Sequence, residues 1–253
     1  MRPIGCWWKP CTAWVRRPNE RPQARQRWVM PEAGHIVRAR GAVSAALAAL
    51  TWFALLLQLV ILLRVRSASG LSLMGGVGNF FSFFTVLTNV LVAVTLSGPL
   101  GWPASRLGRI LSTAGFRTGV AANIALVGLT YSLLLRTLWQ PRGAQWLADT
   151  LLHDAVPLLY LLFWAWAVPR ATLRWYSALR WALYPLAYLL YALLRGVWLG
   201  RYPYPFIDVA QLGYTRVAIN AAGILLVFLA IAGCLITLNR FKPALTVVST
   251  PLD

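Results

Sequence analysis

The sequence predicts an all-α integral membrane bundle of six transmembrane helices with both termini in the cytoplasm. Hydrophobic residues make up 59% of the 253 residues and charged residues only 12%, whereas soluble domains carry about 25% charged residues. Six apolar runs alternate with short polar loops, and a helix of about 20 apolar residues crosses the hydrocarbon core of a bilayer. The basic residues lie beside these runs, which is typical of membrane topology.

The chain divides into three parts. Residues 1–40 are basic and rich in proline, and we predict a disordered cytoplasmic tail there. Residues 41–240 form the transmembrane domain, and residues 241–253 form a short cytoplasmic C-terminal tail. The six predicted helices are Ala42–Leu63, Phe80–Leu96, Phe116–Leu135, Leu151–Val168, Trp181–Leu199 and Val217–Leu238.

Individual features support these helices. The first run is too long for the hydrophobic region of a cleavable signal peptide. Gly98 and Pro99 are predicted to end the second helix, and the third remains apolar although it contains Arg117 and Asn123. Pro157 falls in the first turn of the fourth helix, where proline is tolerated. The loops are short, so consecutive helices should pack antiparallel.

The distribution of basic residues predicts the orientation. With both termini inside, 17 of the 24 Lys and Arg residues lie on the cytoplasmic side and seven on the other, as the positive-inside bias requires. Nine of the 17 belong to residues 1–40, so the bias depends on that tail. A net charge of +18 can also indicate nucleic-acid binding. Here the charges flank apolar runs, so we expect membrane lipids and no nucleic acid as partners.

This topology gathers the rare polar residues of the transmembrane domain on one side of the membrane. They are Asp149, His153, Asp154 and Asp208, together with Asn79, Ser82, Thr85, Thr88 and Asn89 at the start of the second helix. Ionisable residues in membrane segments are costly unless solvated or paired, which makes them candidates for function. The alternative is that they are ordinary residues of the headgroup layer.

The segment 79–89 carries a stripe of hydroxyl groups. On a helix, Ser82, Thr85 and Asn89 share one face, and Thr88 lies beside Thr85. Such hydroxyls usually bond a backbone carbonyl or a neighbouring helix. The functional alternative is that one of them is a nucleophile, which requires a base within hydrogen-bonding distance.

The only imidazole of the transmembrane domain is His153, within the segment DTLLHDAVP. Asp149 lies four residues before it, so its carboxylate can hold the imidazole tautomer, and Asp154 is the alternative partner. No His or Cys spacing indicates a metal site. We therefore predict no metal and no cofactor, and the three cysteines are predicted to be free thiols.

Arginine and aromatic residues flank this layer. Three outward-running helices end in Leu-Leu-Arg, at Arg64, Arg136 and Arg195. These arginines either extend to lipid phosphates or receive an anionic ligand such as a carboxylate. In residues 195–214, Asp208 is expected to pair with Arg195 or Arg201, to cap the sixth helix or to contribute to the site. Aromatic residues of this segment, Trp198, Tyr202, Tyr204 and Tyr214, suit an interfacial belt.

Taken together, several segments resemble a known family. They are FFSFFTVLTN, His153 followed by Pro157, the run ending in LLRG, and YPYPFIDV followed by GY. Over residues 41–240 the chain is similar to bacterial predicted six-transmembrane proteins, and these in turn to the vertebrate androgen-induced membrane proteins. Vertebrate members are threonine hydrolases of fatty-acid esters of hydroxy fatty acids. The resemblance implies that Thr85, with Thr88 as the alternative, is the nucleophile and His153 the second catalytic residue.

Two function hypotheses follow. The first is a lipid ester hydrolase with Thr85 as nucleophile and His153 as base. Asp149 or Asp154 would orient His153, Thr88 and Asn89 would support the site, and Arg136, Arg195 and Asp208 would bind the substrate, a fatty-acyl ester or another anionic lipid. The second is a non-enzymatic membrane protein that binds or transports a lipid or small anionic molecule. We expect a multi-pass location in the plasma membrane for both.

Overall fold

The computed structural model describes residues 31–138 and 140–242, and within these ranges it contains helices and turns but no β-strand. The α-helices are α1 (Pro31–Ala68), α2 (Leu73–Phe80), α3 (Phe84–Gly101), α4 (Arg106–Ser112), α5 (Ala114–Thr130), α6 (Ala144–Thr150), α7 (Val156–Ala167), α8 (Tyr176–Leu199) and α9 (Val209–Phe241). The predicted tails cover residues 1–40 and 241–253. Residues 31–40, which were expected to be disordered, are helical in α1, whereas residues 1–30 and 243–253 lie outside the described part of the chain.

Six helical segments are long and apolar enough to cross a membrane. They are His35–Ala68, Phe84–Gly101, Ala114–Leu135, Ala144–Ala167, Tyr176–Leu199 and Val209–Phe241. The predicted all-α bundle of six membrane-spanning helices is therefore confirmed. An even number of spans puts the start of α1 and the end of α9 on one face, which we call the terminal face. The opposite face, where α3 and α6 begin, is the site face.

Several helix boundaries differ from the prediction. α1 begins at Pro31 rather than at Ala42, so it extends beyond its apolar run. α3 continues through Gly98 and Pro99 to Gly101, because a proline in the last turns removes few of the hydrogen bonds of a helix. The fourth span begins at Ala144 rather than Leu151, which places Asp149 and His153 inside a helix instead of at its start.

The centre of the bundle is α5, which contacts α3, α7, α8 and α9. Its interior face carries Gly119, Ala121 and Ala122, and small residues allow membrane helices to approach closely. A Cβ atom on Gly119 would lie 2.6 Å from the Trp181 ring of α8, so this crossing depends on glycine. Because α5 reaches these four neighbours, its end at the site face brings side chains of several helices together.

Candidate active site

Thr85 lies in the first turn of α3 because the chain breaks just before it. α2 ends before a turn at residues 81–83, and α3 begins at Phe84. Ser82 lies in this turn and donates its hydroxyl to a carbonyl of α2 at 2.6 Å, so the prediction that Ser82 shares a helical stripe with Thr85 and Asn89 is wrong. The break leaves the first N–H groups of α3 without helical acceptors and directs the positive end of the helix dipole at Thr85.

His153 lies in one of two π-helical turns that meet at the site. Tyr131–Leu135 extends α5, and Leu151–Ala155 joins α6 to α7. Such turns are rare and frequent at functional sites. The rings of Tyr131 and His153 stack with centroids 4.0 Å apart. Gly128 permits this approach, because a Cβ atom there would lie only 3.2 Å from the carbonyl oxygen of His153.

Thr85, His153 and Asp149 form a linear hydrogen-bonded arrangement. Thr85 Oγ1 lies 3.2 Å from His153 Nε2. His153 Nδ1 lies 3.0 Å from the backbone oxygen of Asp149 and 3.2 Å from its Oδ1. Because both partners of Nδ1 are acceptors, a neutral imidazole carries its proton on Nδ1 and accepts the Thr85 hydroxyl proton at Nε2. Of the two predicted carboxylate partners, Asp149 is the one beside His153.

The Asp149 carboxylate is buried and has a second donor that sequence reasoning missed. Its side chain is 8% exposed, and Tyr131 donates its hydroxyl to Oδ2. A buried carboxylate requires such compensation, because an unpaired charge in an apolar interior is very costly. No spacing rule links Tyr131 to Asp149. Tyr131 opens the π-helical turn after α5 and Asp149 lies in α6, so the packing of these two segments brings them together.

Tyr204 lies on another side of Thr85 and was also missed. Its hydroxyl oxygen accepts the Thr85 N–H at 3.3 Å and lies 3.5 Å from Thr85 Oγ1. The ring stacks on Phe206 with centroids 5.1 Å apart, and Asn220 of α9 fixes this loop by donating to the Phe206 carbonyl at 2.9 Å. The sequence suggested an interfacial belt residue, but Tyr204 is buried inside the bundle, and burial raises its pKa.

Asn89 connects the segment that carries Thr85 to the segment that carries His153. It is fully buried, and its Nδ2 donates to the Thr85 carbonyl at 2.9 Å and to the Leu152 carbonyl at 3.2 Å. The side chain therefore connects the first turn of α3 to the residue that precedes His153. Thr88, the alternative nucleophile, lies elsewhere, with Oγ1 3.4 Å from the Tyr184 hydroxyl.

Arg136 and Asp154 form an ion pair at the rim of the site. Their side chains are 48% and 36% exposed, and the Arg136 guanidinium lies over the Tyr131 ring at 4.9 Å. Asp154 thus faces Arg136 rather than His153. An exposed pair of this kind contributes little stability, so another anion can compete for Arg136.

The other two candidate substrate-binding residues, Arg195 and Asp208, lie outside the group formed by Thr85, His153 and Asp149. Arg195 is half-buried near the end of α8 and forms no ion pair with any described residue. Asp208 is the N-cap of α9, since its Oδ1 accepts the N–H groups of Ala210 and Gln211 at 3.0 and 3.3 Å. Of the alternatives predicted for Asp208, the helix cap is therefore the one observed.

An apolar pocket opens beside Thr85 between α5, α8 and α9. Its cavity measures about 90 Å³. Five of the lining residues carry hydroxyl groups: Thr85, Thr130, Tyr131, Tyr188 and Tyr204. Aliphatic and aromatic residues line the rest: Phe84, Leu126, Val127, Leu135, Pro185, Leu186, Leu189, Phe206, Ile207, Ala221, Ile224, Leu225 and Phe228. This lining, apolar with a few hydroxyl groups, has the chemical character of a site for an acyl chain whose polar end lies at Thr85.

Comparisons with family models, with curated proteins and with solved structures found no match. Among the described residues there is no group of three or more His, Cys, Asp or Glu side chains able to hold a metal ion. A hydroxyl, an imidazole and a carboxylate in this order are the groups that acyl transfer requires, and here they come from segments that lie far apart in the chain.

Proposed function

We propose that this protein is a membrane-embedded hydrolase of lipid esters. The observation that carries the proposal is the contact between Thr85 Oγ1 and His153 Nε2 at 3.2 Å, with Asp149 behind the imidazole. Hydroxyls of membrane helices ordinarily bond a carbonyl of their own helix. Thr85 instead lies beside the His153 imidazole, and it also lines the apolar pocket.

The reaction proceeds through an acyl-enzyme. His153 Nε2 takes the proton of Thr85 as Oγ1 attacks the ester carbonyl, and the carbonyl π electrons move to its oxygen. On collapse, the bond to the alcohol oxygen breaks and His153 gives its proton to the leaving alkoxide. Water then enters and repeats these steps, so that a carboxylic acid leaves and Thr85 recovers its proton. General base help of this kind contributes about 10²–10⁴-fold.

The supporting residues have separate roles. Asp149 holds the Nδ1 proton of His153 and stabilises the imidazolium that forms, while Tyr131 fixes the other carboxylate oxygen. Asn89 keeps Thr85 and His153 in register. These contacts hold the nucleophile and the base together before substrate arrives, which removes part of the entropic barrier.

The pocket and the rim define the substrate class. An acyl chain fits between α5, α8 and α9, with its ester carbonyl at Thr85. Arg136 at the rim is the anchor for an anionic group on the substrate, for which it would exchange its exposed partner Asp154. Fatty-acyl esters with a carboxylate or phosphate group meet both requirements, and membrane lipids of the plasma membrane are the natural source.

The test is labelling of the purified protein in detergent by a fluorophosphonate, which reacts with activated hydroxyls. We expect labelling of the wild type and of Thr85→Ser, and none of Thr85→Ala or His153→Ala. Thr88→Ala is the matched control, because it removes a buried hydroxyl of the same helix that does not contact His153. Each variant must keep the elution profile and melting temperature of a folded protein.

A binding or transport function is the second candidate. The specific observation behind it is the same apolar pocket, which would receive an acyl chain whether or not Thr85 reacts. Folded wild-type protein that reacts with no fluorophosphonate but retains a fluorescent fatty acid would favour this second function and refute the hydrolase.

A further inference from the structure

We propose that the Tyr204 hydroxyl is a third catalytic group, the donor that stabilises the oxyanion on the substrate carbonyl. This inference rests on the proposed hydrolase function. Tyr204 lies 3.5 Å from Thr85 Oγ1, on the pocket side of the nucleophile. Acyl transfer develops negative charge on the carbonyl oxygen, and a fixed donor at that point is among the largest contributions to catalysis.

The hydrogen-bond pattern leaves the Tyr204 proton available for this role. Its oxygen accepts the Thr85 N–H, and while the Thr85 hydroxyl donates to His153, Thr85 Oγ1 is free to accept the Tyr204 proton, with the Tyr188 hydroxyl as the other neighbour of Tyr204. When Oγ1 bonds to the substrate carbon, the adjacent oxyanion becomes a much stronger acceptor than Oγ1, and the Tyr204 proton turns to it. Because burial raises the pKa of Tyr204, the phenol stays protonated at neutral pH and acts as a donor.

The residues around Tyr204 hold its hydroxyl group in a fixed position. Tyr204 is 9% exposed and held between Phe83 and Phe206, with ring centroids at 5.8 and 5.1 Å. The loop that carries it is closed at both ends, by Tyr202 against Gly196 of α8 and by the Asp208 cap of α9. A donor fixed in this way needs no reorganisation during the reaction.

The experiment is hydrolysis of p-nitrophenyl decanoate by Tyr204→Phe in detergent. We expect kcat to fall by about 10²–10³-fold with KM nearly unchanged, because the ring that lines the pocket remains. Tyr184→Phe is the matched control, since it removes a half-buried phenol hydroxyl that contacts Thr88 rather than Thr85. It should keep wild-type kcat.

The outcomes separate this inference from the proposed function. Wild-type kcat in folded Tyr204→Phe, with Thr85→Ala inactive, would overturn the role of Tyr204 and leave the hydrolase standing. A wild type with no turnover and no fluorophosphonate labelling would overturn both. Equal losses in kcat for Tyr204→Phe and Tyr184→Phe would show a general effect of losing a tyrosine hydroxyl and would also overturn the role of Tyr204.

A second inference rests on a different part of the molecule. We infer that a basic cleft on the terminal face binds the headgroup of an anionic phospholipid. The cleft measures about 630 Å³ and is lined by residues 169–174 and by Arg240. Three arginines, Arg170, Arg174 and Arg240, line it, and none forms an ion pair with a described residue.

The cleft has a fixed backbone. Asn239 is fully buried and clamps the segment, since its Oδ1 accepts the Ala171 N–H at 3.0 Å and its Nδ2 donates to the Pro169 carbonyl at 3.3 Å. Arg240 lies over the Trp175 ring at 5.1 Å. Basic residues that serve only to orient the helices in the membrane do not need a backbone fixed in this way. Basic pockets between transmembrane helices, in contrast, bind the headgroups of anionic lipids.

The position of the cleft selects a lipid over a free anion. Trp175 and Tyr176 are exposed beside it, and such aromatic residues lie at the level of the headgroups. The Asp149, Asp154 and Asp208 carboxylates lie on the opposite face of the bundle, so they do not compete for the arginines. The ligand that fits this position is a phosphate at headgroup depth, in the cleft that the three arginines line.

The test measures binding of phosphatidylglycerol to the detergent-solubilised protein, with phosphatidylcholine and inorganic phosphate as comparison ligands. We expect Arg170→Gln with Arg174→Gln to weaken phosphatidylglycerol binding by about tenfold or more. The matched control is Arg106→Gln with Arg109→Gln, which removes the same charge from α4 near the same face and should bind as the wild type. The inference would be overturned if both double variants lost the same affinity for phosphatidylglycerol. It would also be overturned if the wild type bound phosphatidylcholine or inorganic phosphate as tightly as phosphatidylglycerol.

Discussion

Replacing Asp149 by asparagine tests the most specific feature of the site. The substitution preserves shape but removes the charge that faces His153 Nδ1. In serine proteases, loss of the corresponding carboxylate costs about 10⁴-fold in kcat because the imidazole adopts the wrong tautomer. Here the backbone oxygen of Asp149 also accepts from Nδ1, at 3.0 Å against 3.2 Å for Oδ1, and the Asp149→Asn variant would keep that backbone acceptor.

The expected loss is therefore smaller. What disappears is one hydrogen bond between a charged acceptor and the imidazolium, worth about 2–3 kcal/mol. Since each 1.36 kcal/mol is a factor of ten in rate, kcat should fall by about 30–150-fold. The assay is p-nitrophenyl ester hydrolysis together with the rate of fluorophosphonate labelling. Tyr131→Phe is the control, because it removes the other donor to Asp149 but leaves His153 in contact, and it should cost about tenfold or less.

Two results would refute this reasoning. A rate for folded Asp149→Asn equal to that of the wild type would mean that the buried carboxylate serves only structure. A loss of 10⁴-fold or more would mean that the backbone oxygen does not hold the tautomer. In either case, the melting temperature of the variant separates lost catalysis from lost folding.

Three further predictions concern packing, selectivity and charge. Gly128→Ala should lower activity and destabilise the fold by about 1–3 kcal/mol, because its Cβ would lie 3.2 Å from the His153 carbonyl oxygen. Gly223→Ala is the control: a Cβ there meets open space, so activity and thermal unfolding should not change. Leu225→Phe should shift hydrolysis towards shorter acyl esters by filling the pocket, while Leu226→Phe, which lies on an exposed face, should keep the chain-length profile of the wild type. Burial lowers the pKa of Lys242 from 10.5 to about 8. The unfolded chain then binds more protons between these pH values, so the melting temperature should rise with pH in that window in the wild type and less in Lys242→Gln.

The sequence by itself determined the class of the protein and the number of spans. Apolar runs of this length have no soluble alternative, and in a bilayer every backbone group must be bonded within its own helix. The contact between Asp149 and His153 was also predictable, because residues four apart share one face of a helix. Choosing Thr85 over Thr88 was left open, since hydroxyls three residues apart look alike in a sequence.

Tertiary structure decided which groups meet. Tyr131 and Tyr204 entered the site from other helices and loops, through π-helical turns and a folded loop that no periodicity indicates. The break at residues 81–83 moved Ser82 away from Thr85 although their spacing suited one helix. Apolar runs and pairwise spacing are local properties of the chain, so the sequence specifies them. Contacts such as Thr85 with His153 depend on how the spans pack, and that is fixed by the shapes of residues far apart in the chain.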